Sequence, residues 1–219
     1  IGATVAAFAT SSPELSISLN SAMAGHPQIA LGDALGSNVV NIALILGLAL
    51  LVAGIQCPRG SIKRDFPVAL LVPLLTAAFA LDGELSRIDG LLMLGMFFAW
   101  ITATAIEAHK QRSLAEKVLG EHRKGVVLLS CFVGLALLIG AGALIVAGAT
   151  GLATAFGIDQ FIIGATIVAI GSSTPELATT IVAGVRGHSE VSLGTILGSN
   201  IFNGLLVVAL AATIHPIAI

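Results

Sequence analysis

Apolar runs of helix-spanning length alternate with short polar breaks along the whole chain. The runs fall roughly over 1–24, 28–55, 66–82, 88–108, 126–149, 160–185 and 191–214. About twenty apolar residues in helical form cross the hydrocarbon core of a bilayer. The pattern therefore predicts an all-α integral membrane protein with about seven transmembrane helices in this chain. The breaks are "QCPRGSIKRD" (56–65), "LDGELSR" (81–87) and "HKQRSLAEKVLGEHRKG" (109–125), the last long enough for a surface helix or a linker between halves. Arg59, Lys63, Arg64, Lys110, Arg112, Lys117, Arg123, Lys124 and Arg186 fall on one side of this topology, and Arg87 alone on the other. Positive charge collects inside, so the loops 56–65 and 109–125 are expected in the cytoplasm.

Composition narrows the function. Of 219 residues, 56% are hydrophobic and only 10% charged, and the net charge of −2 offers no basic patch for nucleic acid. Cys57 and Cys131 make no disulfide framework, and no zinc-type spacing of histidines occurs. The partners to expect are ions and the lipid bilayer; nothing identifies a protein partner. No basic-start signal peptide is present, and the chain opens already hydrophobic at Ile1, which reads as a fragment.

An internal repeat sets the architecture. "GATVAAFATSSPELSISLNSAMAGHPQIALGDALGSNVVN" (2–41) aligns without gaps against "GATIVAIGSSTPELATTIVAGVRGHSEVSLGTILGSNIFN" (164–203). Five helices separate the two starts, and five is odd, so the copies cross the membrane in opposite directions. Inverted repeats with interrupted helices at the midplane belong to secondary transporters. The segments are then a first helix pair (1–55), two further helices (56–108), the cytoplasmic loop (109–125), a helix with an outer loop (126–159) and a second helix pair (160–214).

Each copy places a glutamate directly after a proline inside a membrane-spanning run. A charged residue there costs about 2.5–3.5 kcal/mol on insertion scales. Pro13 has no N–H for the carbonyl of Ala9, and it pushes Ser12 from α geometry, so the helix should break over 9–12. Glu14 adds a charge, with Ser11 and Ser18 on the same face. The second copy repeats this with Ser172, Ser173, Pro175, Glu176 and Thr180. Further along lie two polar pairs at helical spacing, Ser37 with Asn41 and Ser199 with Asn203. Carboxylates, hydroxyls, amides and free carbonyls form an all-oxygen set suited to calcium or sodium.

Other polar residues have plainer readings. Asn38 and Asn200 point away from the serines and are expected to bond helix to helix. Asp33, opposite Thr195 of the second copy, is read as a hydrated helix terminus, with an access-path charge as its alternative. His26 and His188 sit in turns, and Glu107 is near a helix end where it can reach water. Glycines and alanines over 134–151 permit close packing or mark a sliding helix.

"ATSSPEL" with "GDALGSNVVN", and "GSSTPEL" with "GTILGSNIFN", resemble the two alpha-repeats of the cation/calcium exchanger superfamily, in particular its sodium/calcium exchanger family and bacterial inner-membrane branch. The resemblance covers the whole chain in layout and implies one central site visited alternately from each side. By motif position it implies carboxylate ligands at Glu14 and Glu176, and hydroxyl or carbonyl ligands at Thr10, Ser11, Ser172 and Ser173. Backbone contributions are implied at Ala7 and Ala169, and second-helix ligands at Ser37, Asn41, Ser199 and Asn203. Many sodium/calcium exchangers carry aspartate where this chain has Asn203, so one possible charge is absent. Proton-coupled relatives show a Gly-Asn-x-x-Glu pattern, whereas Ser/Thr-Ser-x-Pro-Glu favours sodium. Family members have ten helices; this chain would begin inside the second and end after the eighth, with the missing first helix pairing with 126–149.

The expectation is an antiporter rather than an enzyme, without a cofactor, exchanging Ca2+ for Na+ across the inner or plasma membrane. Ca2+/H+ exchange is the alternative, with the glutamates titrating, and a cation channel a more distant one. An intramembrane hydrolase would need a histidine or lysine base at depth, and every one here lies in loops or near helix ends.

Overall fold

A computed structural model describes residues 7–52, 59–111 and 124–219. Cys57, Arg112, Lys117 and Arg123 lie outside the described residues. A helical turn over 7–10 leads into α1 (Ser12–Met23). A tight turn through Gly25 then starts α2 (Pro27–Val40), which continues through a π-helical turn, Asn41–Leu46, into α3 (Gly47–Val52). Next come α4 (Arg59–Phe79), α5 (Arg87–Gln111) and α6 (Lys124–Phe156).

The second copy opens with α7 (Gln160–Ile163), passes a π turn over Gly164–Val168 into α8 (Ala169–Ser172), and then enters α9 (Thr174–Val185). Its partner rod is α10 (Ser189–Phe202), a π turn over Asn203–Val207, and α11 (Val208–Ile214). Five rods among the described residues are long and apolar enough to cross a membrane: Pro27–Val52, Lys63–Asp82, Arg87–Ile106, Gln160–Val185 and Val191–Ile214. The first predicted run is described only from residue 7, and the run expected over 126–149 lies within the longer α6.

Two details depart from the sequence reading. The polar break expected over 56–65 is already helix from Arg59, because arginine and lysine are good helix formers and let a membrane helix run on into water. Two short strands also interrupt the all-helical pattern. β1 (Glu84–Leu85) pairs antiparallel with β2 (Ile217–Ala218), and Ile219 N–H bonds Gly83 O at 2.9 Å. This ladder gathers the turn before α5 and the end of the chain on one face of the bundle.

Val191–Ile214 is the most enclosed of the five rods and forms the axis of the core. Around it pack Val72 from α4, Met93 and Phe97 from α5, and Leu31 and Ala34 from α2. A smaller apolar cluster joins Ile17 and Ile29 to Val146, Ala149 and Ala153 of α6. Many leucines face outward instead, Leu51, Leu74, Leu81 and Leu144 among them, as a surface meeting lipid tails requires.

The two copies cross through glycine. A Cβ on Gly32 or Gly36 of α2 would run into the backbone of Phe161 or Ala165, and one on Gly164 would run into Ile29 O. Small residues let membrane helices meet backbone to backbone, and here they press the second helix of one copy onto the first helix of the other.

Candidate functional site

The proline interruptions take a milder form than expected. The sequence predicted an opened helix over 9–12 with Ser12 out of α geometry. Instead Ser12 begins α1, and the departure is confined to Ser11, at φ −81° and ψ 9°. Ser11 N–H still bonds Ala7 O at 3.0 Å, and Leu15 N–H bonds Ser11 O at 3.2 Å, so the ladder holds on both sides of a one-residue kink. Proline in the first turn of the next helix explains why, since its missing N–H has no partner to lose there. Ser173, the equivalent residue, has φ −78° and ψ 4° and the same two bonds, to Ala169 O and from Leu177 N–H. Such bridge-region backbone is sparsely populated and recurs where functional residues sit.

Every residue that the resemblance assigns as an ion ligand is buried: Ala7, Thr10, Ser11, Glu14, Ser37 and Asn41 in the first copy, and Ala169, Ser172, Ser173, Glu176, Ser199 and Asn203 in the second. Hydrogen bonds tie them across the repeat boundary. Thr10 shares a bond with Ser199 at 3.5 Å, and the symmetry-equivalent pair, Ser172 and Ser37, lies at 3.2 Å. Thr10 and Ser172 each also reach the carbonyl three residues back, Ala7 O and Ala169 O, both at 3.2 Å.

Asparagines close the far side. Asn38 Nδ2 donates to Asn200 O at 3.2 Å, and Asn200 Nδ2 returns a bond to Asn38 O at 3.5 Å. Asn41 Nδ2 donates to Asn200 Oδ1 at 2.9 Å, and Asn203 Nδ2 to Asn38 Oδ1 at 3.3 Å. Asn38 and Asn200 thus bond helix to helix, and each also accepts one amide N–H, Asn200 from Asn41 and Asn38 from Asn203. Two of the three π turns among the described residues start at these last two residues, Asn41 and Asn203. Such turns are rare and favour functional sites.

The carboxylates have too few partners. Ser11 Oγ and Ser199 Oγ both donate to Glu176 Oε1 at 3.2 Å, while Glu176 Oε2 has none. Neither oxygen of Glu14 has a hydrogen-bond partner, and Asn41 Oδ1, Asn203 Oδ1 and Ser173 Oγ are likewise unpartnered. A buried polar atom without a partner costs about 1–3 kcal/mol, so such a group in one place calls for an explanation. Oxygens facing no donor are what a cation needs. Among the described residues no three His, Cys, Asp or Glu side chains gather as a metal cluster. Any ion held here therefore depends on neutral oxygens as well as on carboxylates.

Sequence reading missed one member of this network. Asp33 is not a hydrated terminus: it is fully buried, and Ser172 Oγ donates to its Oδ1 at 2.8 Å. His26, in contrast, stays in its turn, Nδ1 against Gln160 Nε2 at 3.0 Å, and His188 is exposed.

The family profile described as "Sodium/calcium exchanger protein" matches residues 1–105 and 126–219. This chain belongs to the sodium/calcium exchanger family. It is 39% identical to the inner membrane protein YrbG of Escherichia coli K12, over 99% of this chain and 69% of that protein. It is 37% identical to the putative antiporter CaxA of Alkalimonas amylolytica, over 99% and 70%. Its fold is similar to that of the sodium-calcium exchanger NCX_Mj soaked with Na+ and Ca2+, at TM-score 0.67 and 31% identity, over 99% of this chain and 70% of that one. The chain is thus a multi-pass membrane protein and a cation antiporter of the sodium/calcium exchanger family, not an enzyme.

Proposed function

We propose that this exchanger moves Ca2+ against Na+ and that the ions occupy the buried cage between the two repeats. Glu14 and Glu176 supply two negative charges, enough to neutralise one calcium ion. Hydroxyls of Thr10, Ser11, Ser37, Ser172, Ser173 and Ser199, amide oxygens of Asn41 and Asn203, and the carbonyls of Ala7 and Ala169 replace its water. Calcium takes six to eight oxygens in flexible geometry, and this donor set contains only oxygen. The observation that carries the reading is the pair of glutamates in matching proline kinks, buried yet short of hydrogen-bond partners.

Antiport follows from competition. Calcium and its counter-ion need the same carboxylates, so one leaves before the other binds, and an uncompensated buried charge disfavours the return of an empty carrier. Support for sodium as counter-ion comes from the name of the related sodium-calcium exchanger and from the Ser/Thr-Ser-x-Pro-Glu motif.

Calcium uptake into liposomes holding the full-length protein tests this, driven first by an outward sodium gradient and then by a pH gradient. Sodium-driven uptake that is lost in Glu14→Gln and in Glu176→Gln is the expected result. Uptake driven by protons alone would replace sodium with H+ in the exchange. No coupled flux under either gradient would overturn the calcium reading.

A further inference from the structure

Asp33 is the carboxylate that the two-glutamate site leaves unexplained. It lies on α2 one residue after Gly32, where the absence of a side chain lets α2 settle directly on the backbone of Phe161, Gly164 and Ala165. That contact removes Asp33 from water and brings Ser172, at the end of α8, to within hydrogen-bond distance of it. Its second oxygen, Oδ2, is buried and has no partner.

The protons around it can be followed. A serine hydroxyl carries one proton. When Ser172 donates to Asp33 Oδ1 at 2.8 Å, Ser37 must be the donor in the 3.2 Å Ser37–Ser172 contact. Ala169 O then keeps the N–H of Ser173 at 3.1 Å and faces Ser37 Oγ only at 3.5 Å. The neighbourhood thus offers one carboxylate oxygen, two hydroxyl oxygens and a carbonyl, with one negative charge in all.

We propose that Asp33 is the carboxylate ligand of a separate position for a monovalent cation of sodium's size, beside the divalent position of Glu14 and Glu176. Charge matching assigns the occupants. The glutamate pair balances two positive charges and Asp33 balances one, with neutral oxygens completing each shell. Asp33 therefore returns, from a different helix, a charge that Asn203 does not provide. The second copy has no equivalent, since its matching residue, Thr195, is buried and neutral. The inference rests on the glutamate-site reading above. It adds that the monovalent ion has its own carboxylate and, sharing Ser172 and Ser37 with the cage, repels calcium when bound.

Displacement of radioactive calcium from the solubilised full-length protein tests it, with NaCl, KCl and choline chloride as competitors at constant ionic strength. Asp33→Asn is expected to need about tenfold more sodium than wild type to displace calcium, and to show a shallower sodium curve, while its calcium affinity falls by much less. Asp33→Glu, which keeps the charge, should recover part of the sodium effect. Asp33→Thr, the side chain of the second copy, should behave like Asp33→Asn, which guards against a fault peculiar to one variant. An unchanged sodium curve in Asp33→Asn would overturn the proposal. So would equal losses of sodium and calcium affinity, which mark a positioning role, or a wild type in which sodium competes no better than choline. Glu14→Gln runs alongside: if it binds calcium like wild type, the glutamate-site reading itself fails, whatever Asp33 does.

Discussion

The first and second repeats are one design carried out twice, and their differences are few enough to name. Both kink at a serine, Ser11 or Ser173, with backbone angles that agree within a few degrees. Both turn through a glycine with positive φ, Gly25 at 80° and Gly187 at 79°, a conformation in which a Cβ would be strained. Both begin a π turn at an asparagine. Yet Glu176 is held by two hydroxyls and Glu14 by none, and Asp33 faces a threonine across the symmetry. Duplication thus supplies the cage, and divergence at single positions sets its charge and tells the two glutamates apart.

The largest effect expected is loss of calcium exchange in both Glu14→Gln and Glu176→Gln, by at least about a hundredfold in liposome flux. Equal losses would mean that the hydrogen bonds on Glu176 only orient it; survival of one variant would show that the repeats do not contribute alike.

Next comes the crossing. Gly36→Ala sets a methyl group against the backbone of Ala165, which cannot swing aside, and should cost about 3 kcal/mol in a thermal or denaturant melt. Gly198→Ala, at the equivalent place, meets only the methyl of Ala7 at 2.7 Å and should cost about 1 kcal/mol. Equal costs would remove the distinction between the two crossings.

The smallest effect separates the kink serines. Ser11→Ala removes a hydroxyl donor from a carboxylate and should weaken apparent calcium affinity about tenfold. Ser173→Ala removes one neutral, unpartnered oxygen and should weaken it about threefold. Transport assays over a calcium titration read both.

Much of this was legible in the sequence because the repeat states it twice. A glutamate after a proline in an apolar run is ambiguous once, but two in register with matching serines and asparagines point to a shared site. Asp33 was misread for the opposite reason. Its partner in the repeat is a threonine, so symmetry gave no support, and its nearness to the start of α2 suggested water. What buries it is contact through Gly32 and Gly164, between segments distant in sequence, and local pattern does not report such contact. The π turns were hidden for a similar reason, since Asn41–Leu46 and Asn203–Val207 have the composition of any apolar helix. The onset of α4 at Arg59 was missed because charge was taken as a stop, although it stops burial rather than helix.

The unpartnered oxygens of Glu14, Glu176, Asn41 and Asn203 have a consequence for handling the protein as well as for transport. Each is a cost to the folded state that an ion in the proposed site would relieve, which would link stability thermodynamically to cargo. An ion at a hundred times its dissociation constant adds about 2.7 kcal/mol to folding. Melting in chelator with choline as the only cation should therefore fall several degrees below melting with calcium or sodium. The size of that gap, followed over a titration, measures affinity without any membrane potential or gradient. The molecule becomes a calorimetric reporter of the ions it carries.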